Sequence, residues 1–356
     1  MLNRINSRQI HVGNVPVGGS SPITVQSMTN TNTSDIDATV KQITALENAG
    51  CDIIRVAVPD KDAAHAISSI KKQISIPLVA DIHFDYKIAL LSVEAGADKI
   101  RINPGNIGGR DRVRAVVSAC KERNIPIRIG VNSGSVPKDL LEKYGGASPE
   151  ALVESALSHI QLLEQEYFQD ICISLKASDV PTTIESYRMM SKIRDYPLHV
   201  GVTEAGTAFM GTIKSSIGIG TLLSEGIGDT IRVSLTDKPE EEVRVGISIL
   251  RALGLRKEGI EVVSCPTCGR TRIDLIGLAQ RVESAVKDID KELKIAVMGC
   301  AVNGPGEARD ADVAVTGGDG VGMLFLRGKP YKKVPYDNLL DELLKLIDDF
   351  ESNRDR

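Results

Sequence analysis

The chain has no tryptophan, and aromatic residues make up only 3% of its 356 positions. That scarcity argues against base-stacking platforms for single-stranded nucleic acid. Neither sign of charge dominates. The net charge is −4 with 25% of residues charged, so no global basic face points to nucleic acid. Long apolar runs are absent, and the opening stretch Met1 to Arg8 lacks the apolar core of a signal peptide. The chain therefore reads as cytoplasmic, with no membrane association. Six cysteines in so long a chain do not make a disulfide framework and are expected as reduced thiols. The histidines are His11, His65, His83, His159 and His199, and none lies in the last third.

What is present first is a repeat of short β-branched runs alternating with amphipathic stretches, the βα pattern of a parallel sheet. The runs are Thr24–Thr29, Asp52–Val58, Pro77–His83, Lys99–Gly105, Pro126–Asn132, Asp170–Lys176, Pro197–Ala205 and Asp229–Leu235. Several follow Gly-terminated helix ends such as Ala49-Gly50-Cys51-Asp52 and Ala95-Gly96-Ala97-Asp98. This spacing predicts an α/β fold, a (β/α)8 TIM barrel over residues 1–258. Pro239 and the acids after it start a closing helix that ends at Gly254.

Residues 259–356 are expected to form a small α+β domain. Its predicted strands are Glu261–Ser264, Lys294–Gly299, Ala311–Thr316 and Val321–Leu326, with helices over Arg272–Asp288 and Tyr336–Phe350. Gly317-Gly318-Asp319-Gly320 reads as a hairpin turn.

Barrel enzymes do their chemistry at the C-terminal ends of the strands. Seven of the eight runs carry polar groups there: Arg55; Asp81 and His83; Arg101 and Asn103; Arg128 and Asn132; Lys176; Glu204; Ser234. Period-two parity aims Arg101 with Asn103, and Arg128 with Asn132, to one side, leaving Ile100, Ile102, Ile127 and Ile129 for the helices. Each arginine alone could be a structural ion-pair partner. Together they repel unless an anion is bound, and arginine forks suit phosphate or diphosphate.

In the second domain, Cys265-Pro266-Thr267-Cys268 pre-forms half of a thiolate site, and Cys300 supplies a third sulfur. A zinc ribbon needs a second Cys-x-x-Cys knuckle, which is missing, and no histidine is at hand. The spacing favours an iron–sulfur cluster, with zinc as the alternative. Glu307, in the Gly/Pro-rich loop after Cys300, is the best-placed fourth ligand. An oxygen ligand would leave one iron exchangeable, suiting substrate chemistry rather than electron transfer alone.

Taken in order, Val25–Thr31, Val79–Phe84, Ile100–Asn106, Arg128–Asn132, Cys265–Thr271 and Cys300–Glu307 resemble the bacterial 4-hydroxy-3-methylbut-2-enyl diphosphate synthase family over essentially the whole length. The resemblance implies a two-electron reductive ring opening of 2-C-methyl-D-erythritol 2,4-cyclodiphosphate with loss of water, in isoprenoid biosynthesis. It implies a [4Fe–4S] cluster held by Cys265, Cys268, Cys300 and Glu307, and flavodoxin or ferredoxin as electron donor. It also implies a homodimer in which one subunit's cluster domain faces the partner's barrel. On that basis Arg55, Asp81, Arg101, Asn103, Arg128, Asn132, Lys176 and Ser234 are expected at the substrate. Glu204 is the expected proton donor, with His83 second. The alternative is a barrel enzyme acting on another phosphorylated or pterin substrate, with a structural zinc domain.

Overall fold

A computed structural model describes residues 4–257, 259–287, 289, 291–300, 306, 308–318 and 320–350. The chain divides into two compact units, Met1–Arg256 and Lys257–Arg356.

In the first unit, two short strands, β1 (Ile10–Val12) and β2 (Val15–Val17), form an antiparallel hairpin. The barrel strands follow: β3 (Thr24–Met28), β4 (Ile53–Ala57), β5 (Leu78–Asp81), β6 (Lys99–Ile102), β7 (Ile127–Asn132), β8 (Ile171–Lys176), β9 (His199–Val200) and β10 (Thr230–Ile231). They pair in parallel in the order β8-β7-β6-β5-β4-β3-β10-β9, and a bridge between Ile173 and Leu198 joins β8 to β9. The predicted barrel is present.

The alternation within strands sorts two environments. Ile54, Val56, Leu78, Ala80, Ile100, Ile102, Ile127, Ile129, Ile171 and Ile173 are fully buried in the main core, the annulus between sheet and helices. The opposite parity fills the barrel interior with Gln26, Lys99, Arg128, Ser174, His199 and Thr230, all buried. The hydrophobic effect therefore acts between layers, while the barrel axis is polar above an apolar floor of Ile53, Val79 and Cys172.

Aspartates at strand starts set the register. The Asp52 carboxylate accepts the Val25 N–H at 2.7 Å, Asp98 that of Leu78 at 2.7 Å, and Asp229 that of Leu198 at 2.8 Å. Each satisfies a donor on the neighbouring strand at the barrel's lower rim, and each bond is worth about 1 kcal/mol net. At the upper rim, Asp35, Asp60, Asp85 and Asp179 cap the helices that follow their strands.

The N-terminal hairpin was not anticipated. Ile10, Val12 and Val17 pack on Ile53, Val79 and Cys172 in a cluster of their own and cover the lower end of the barrel. Its turn uses Gly13 at φ +57°, a left-handed conformation suited to glycine.

The second unit is a five-stranded sheet, β11 (Ile260–Ser264), β12 (Leu293–Met298), β13 (Val313–Gly317), β14 (Val321–Leu326) and β15 (Lys329–Pro335), in that spatial order. The first three are parallel and the last two antiparallel. Helices Leu275–Val286 and Leu339–Asp348 cover one face through Leu278, Val282, Leu343 and Ile347. The other face carries Ala296, Met298, Ala314 and Phe325, with Ala308 and Ala311. Of the expected glycine hairpin, Asp319 lies outside the described residues. The last strand, β15, escaped prediction because most of it is exposed and lysine-rich, with little apolar alternation.

Candidate active site

At the upper end of the barrel the inward positions bring basic side chains together. Register places Asp81 beside Arg101, Arg101 beside Arg128, and Asn132 beside Lys176. Arg55, Arg128, Lys176 and Asp81 are all buried. Asp81 lies between two of the cations: Oδ1 accepts from Arg101 Nη1 at 3.0 Å, and Oδ2 is 3.6 Å from Arg55 Nε. Arg55 also points Nε and Nη2 at the Met28 sulfur, at 3.1 and 2.9 Å. Two glycines make room for these side chains. A Cβ at Gly130 would lie 2.6 Å from Arg101 Nε, and one at Gly201 would lie 2.8 Å from Lys176 Nζ.

The electrostatics are those of a cation cluster short of counter-charge. Burial, together with repulsion from Arg232, Arg128 and Arg101, drives Arg55 well below its ordinary pKa against the pull of Asp81. Burial and the same neighbours lower Lys176 well below the usual lysine range. Arg128 is pushed down to about 10, by burial first and Arg101 second. For Asp81 burial acts upward, but Arg55, Arg101, Arg128 and His83 outweigh it and depress the carboxyl. Arg101 Nε and Arg128 Nε and Nη1 are buried without a hydrogen-bond partner among the described residues. Unmatched donors and excess positive charge at a barrel mouth suit a polyanion, because an uncompensated buried charge is costly.

Two members of this cluster were missed by sequence reasoning, Arg232 and Lys99. Both share the inward parity of residues already singled out, Arg232 with Ser234 and Lys99 with Arg101, and that signal could have found them. Lys99 lies deeper and is fully buried. Burial first, then Arg128 and Arg55, push it down to about 8, while Cys172 pulls the other way.

Lys99 gives a pH-dependent prediction. Its folded pKa lies below its unfolded value of about 10.4, so between them the unfolded chain binds more protons. The Lys99 penalty is full below about pH 8 and is relieved as pH rises through that window. The stability gain of Lys99→Met over wild type is therefore expected to be largest near neutrality and to shrink toward pH ~10.4. Urea unfolding at fixed pH measures it, and a gain that does not vary with pH refutes it.

The remaining predicted residues sit around the rim. Asn103 is buried, Ser234 is half-buried, and the Asn132 backbone N–H donates to Ser135 Oγ at 3.1 Å across the short turn Ser133–Ser135. His83 and Glu204 are exposed. Glu204 has φ +51°, unusual for a residue with a side chain. Its loop is tied down on both sides: Thr203 N–H donates to Ala177 O at 3.2 Å, and Thr236 N–H to Gly206 O at 2.9 Å. Glu204 is thus carried between the strand ends that bear Lys176 and Ser234.

In the second unit, Cys265 directly follows β11 and Cys300 comes two residues after β12. These strands are parallel neighbours, with Ser264 beside Val297, so both cysteines leave the same end of the sheet. The Gly299 N–H donates to the Cys265 sulfur at 3.3 Å. Cys268 is exposed, and hydrogen bonds from the Arg270 backbone and side chain, helped by Thr271, lower its thiol pKa. Cys265 packs against the alanine-rich face of the sheet. Thiolates stabilised by N–H donors beside an apolar shelf fit the donor chemistry of an iron–sulfur cluster. Glu307 lies outside the described residues. Among the described residues no three His, Cys, Asp or Glu side chains already converge on a metal position. Cys51, Cys120 and Cys172 are buried in the barrel unit, and burial raises the pKa of each thiol, so they are inert packing residues.

The GcpE TIM-barrel domain matches residues 7–247, and the GcpE protein C-terminal domain matches residues 261–349. The chain belongs to the GcpE family. Within that family, a curated relative from Caldanaerobacter subterraneus subsp. tengcongensis is 64% identical over 342 residues, covering 96% of each chain. One from Clostridium perfringens is 60% identical over 347 residues, covering 98% of this chain and 99% of its own. Both are named 4-hydroxy-3-methylbut-2-en-1-yl diphosphate synthase (flavodoxin). Among solved structures, Yersinia pestis dihydropteroate synthase aligns with a TM-score of 0.50 at 12% identity, covering 70% of this chain and 100% of its own. The Xanthomonas albilineans dihydropteroate synthase aligns with a TM-score of 0.50 at 13% identity, over 70% of this chain and 97% of its own. At such identity these structures share the barrel with the GcpE chain and nothing more.

Proposed function

We propose that this chain catalyses the reductive ring opening and dehydration of 2-C-methyl-D-erythritol 2,4-cyclodiphosphate to 4-hydroxy-3-methylbut-2-enyl diphosphate. Membership of the GcpE family supports the reaction, and the names of its relatives support flavodoxin as the electron donor. The observation that carries the substrate assignment is the cluster of buried Arg55, Arg128 and Lys176 with half-buried Arg101, in which Asp81 is the one carboxylate among the described residues paired with Arg55 and Arg101.

These cations hold the diphosphate, with Asn103, Asn132 and Ser234 as orienting hydrogen-bond partners. Asp81 keeps Arg55 and Arg101 apart and aimed while the site is empty of substrate. A [4Fe–4S] cluster would be held by Cys265, Cys268, Cys300 and Glu307, and when bound would pass on, one at a time, the two electrons from the donor and offer a Lewis-acidic iron. Its thiolates are served by the Gly299 N–H and the Arg270 and Thr271 donors. Residues 1–258 then act as the substrate-binding domain and 259–356 as the cluster domain. The enzyme works in the cytoplasm as a homodimer, the cluster domain of one subunit facing its partner's barrel. Exposed Phe209, Met210, Ile213 and Ile217 on the helix Ala208–Ser224 supply apolar surface of the kind that oligomer interfaces cover.

Glu204 gives the proton that leaves with water, and His83 stands second. The strained backbone at Glu204 is of the kind that persists where the surroundings hold it for function. Glu204→Gln is expected to lower kcat about a hundredfold, within the usual range for a general acid, at full iron content. Near-wild-type turnover in that variant refutes the assignment.

The founding test is purification without oxygen, followed by iron, sulfide and zinc analysis and turnover with reduced flavodoxin. Conversion of the cyclodiphosphate by an iron- and sulfide-bearing protein, lost in air, is the expected result. One zinc without sulfide, and no turnover, overturns it in favour of a barrel enzyme with a structural zinc.

A further inference from the structure

The helix Pro239–Ala252 opens with Glu240, Glu241 and Glu242, yet these three acids have different surroundings. Glu241 pairs with Arg244 on the surface. Glu242 is 6% exposed and turns toward the barrel. Its Oε1 accepts the Leu235 N–H at 2.9 Å. Its Oε2 lies 3.4 Å from Arg232 Nη2 and accepts from Ser27 Oγ at 3.4 Å. One carboxylate thus ties the guanidinium of Arg232 to the strand end that carries Ser234.

Arg232 faces the other way as well. It heads the cations that repel Arg55 and Lys176, so its charge belongs to the mouth cluster. Its Nε is buried without a partner among the described residues. An arginine drawn on one side by a buried carboxylate, and exposed on the other to like charges, has its orientation fixed before ligand arrives. Arginine forks bind phosphate oxygens only when so oriented.

We infer that Glu242 is a positioning residue for diphosphate binding, holding Arg232 and the Ser234–Leu235 strand end in the geometry the anion needs. The inference rests on the proposed reading of the mouth as a diphosphate site. It has a sign that simple electrostatics opposes. Glu242 is negative, so removing its charge would strengthen anion binding if charge alone mattered. Loss of positioning weakens binding instead.

Glu242→Gln is the test, because the amide oxygen still accepts from Leu235 N–H while the pull on Arg232 is lost. The holoenzyme variant is expected to raise KM for the cyclodiphosphate about tenfold with kcat little changed, the pattern of lost uniform binding. Iron content should match wild type. Calorimetry with inorganic diphosphate should show a similar weakening and needs no turnover. Arg232→Lys should weaken binding by itself and add nothing when combined with Glu242→Gln, since both remove one oriented fork. Unchanged or tighter diphosphate binding in Glu242→Gln overturns the inference, as does full additivity of the two substitutions. If Glu242→Gln lowers Tm, the double-variant comparison still decides, because a folding defect unrelated to Arg232 would add to its effect. Wild-type protein that binds diphosphate but does not turn over the cyclodiphosphate would count against the proposed reaction and leave the role of Glu242 standing.

Discussion

Cys265→Ser is expected to remove the iron–sulfur cluster and to lower turnover by at least about a thousandfold, while the barrel is expected still to bind diphosphate. A serine hydroxyl is a hard donor that stays protonated near neutrality, so it cannot replace a soft thiolate on cluster iron. The Gly299 N–H that now stabilises the Cys265 sulfur would face a neutral oxygen instead. Cys265 packs on the alanine-rich face of the small sheet, and among the described residues of that cluster there is no second thiol. The loss is confined to the second unit because the two units are separately compact. Iron and sulfide analysis of anaerobic protein measures the first effect, and calorimetry with inorganic diphosphate measures the second. Full iron and sulfide in Cys265→Ser would remove this cysteine from the ligand set.

Asp81→Asn destabilises the substrate-free enzyme by about 3–5 kcal/mol, the range found when one partner of a buried ion pair is removed. Asp81 is 3% exposed and sits against both Arg55 and Arg101, so the substitution leaves buried cations without their counter-charge. The pH dependence has a definite sign. Asp81 has a depressed folded pKa, so its stabilising contribution is present above the unfolded value of about 3.9. That contribution is lost as pH falls through the folded pKa, and the gap between variant and wild type closes in acid. Diphosphate is expected to stabilise variant and wild type alike, by an amount that grows with the logarithm of its concentration over its Kd. Chemical unfolding with and without inorganic diphosphate measures both effects. A variant as stable as wild type without anion would show that solvent already compensates these arginines.

Much of this was open to reading in the chain itself, and the places where reading stopped have physical causes. Alternation along Lys99-Ile100-Arg101-Ile102-Asn103 separates a helix-facing side from an axial side, because a strand has a strict period of two. Applied without exception, the same rule reaches Lys99 and Arg232. The runs Pro197–Ala205 and Asp229–Leu235 were expected as long strands, yet the strands span only His199–Val200 and Thr230–Ile231, with one further bridge at Leu198. Their remaining residues lift away as rim loops, and hydrophobicity does not mark where a ladder ends. Three-residue strands such as β1 and β2 fall below the length at which periodicity means anything, so the hairpin under the barrel went unseen.

Local order fixed what depends on neighbours in the chain: the βα period, the Asp caps, the inward parity of the arginines, and the Cys-x-x-Cys turn. Those features follow from backbone geometry and donor chemistry within a few residues. Tertiary structure alone decided which charges meet. Asp81 became the counter-ion of Arg55 and Arg101, and Glu242, one of three successive acids, became the partner of Arg232. Neither pairing has a local signature, since the residues of each belong to different elements. Their contact depends on barrel closure, which brings distant side chains into a space too dry to leave a charge unmatched.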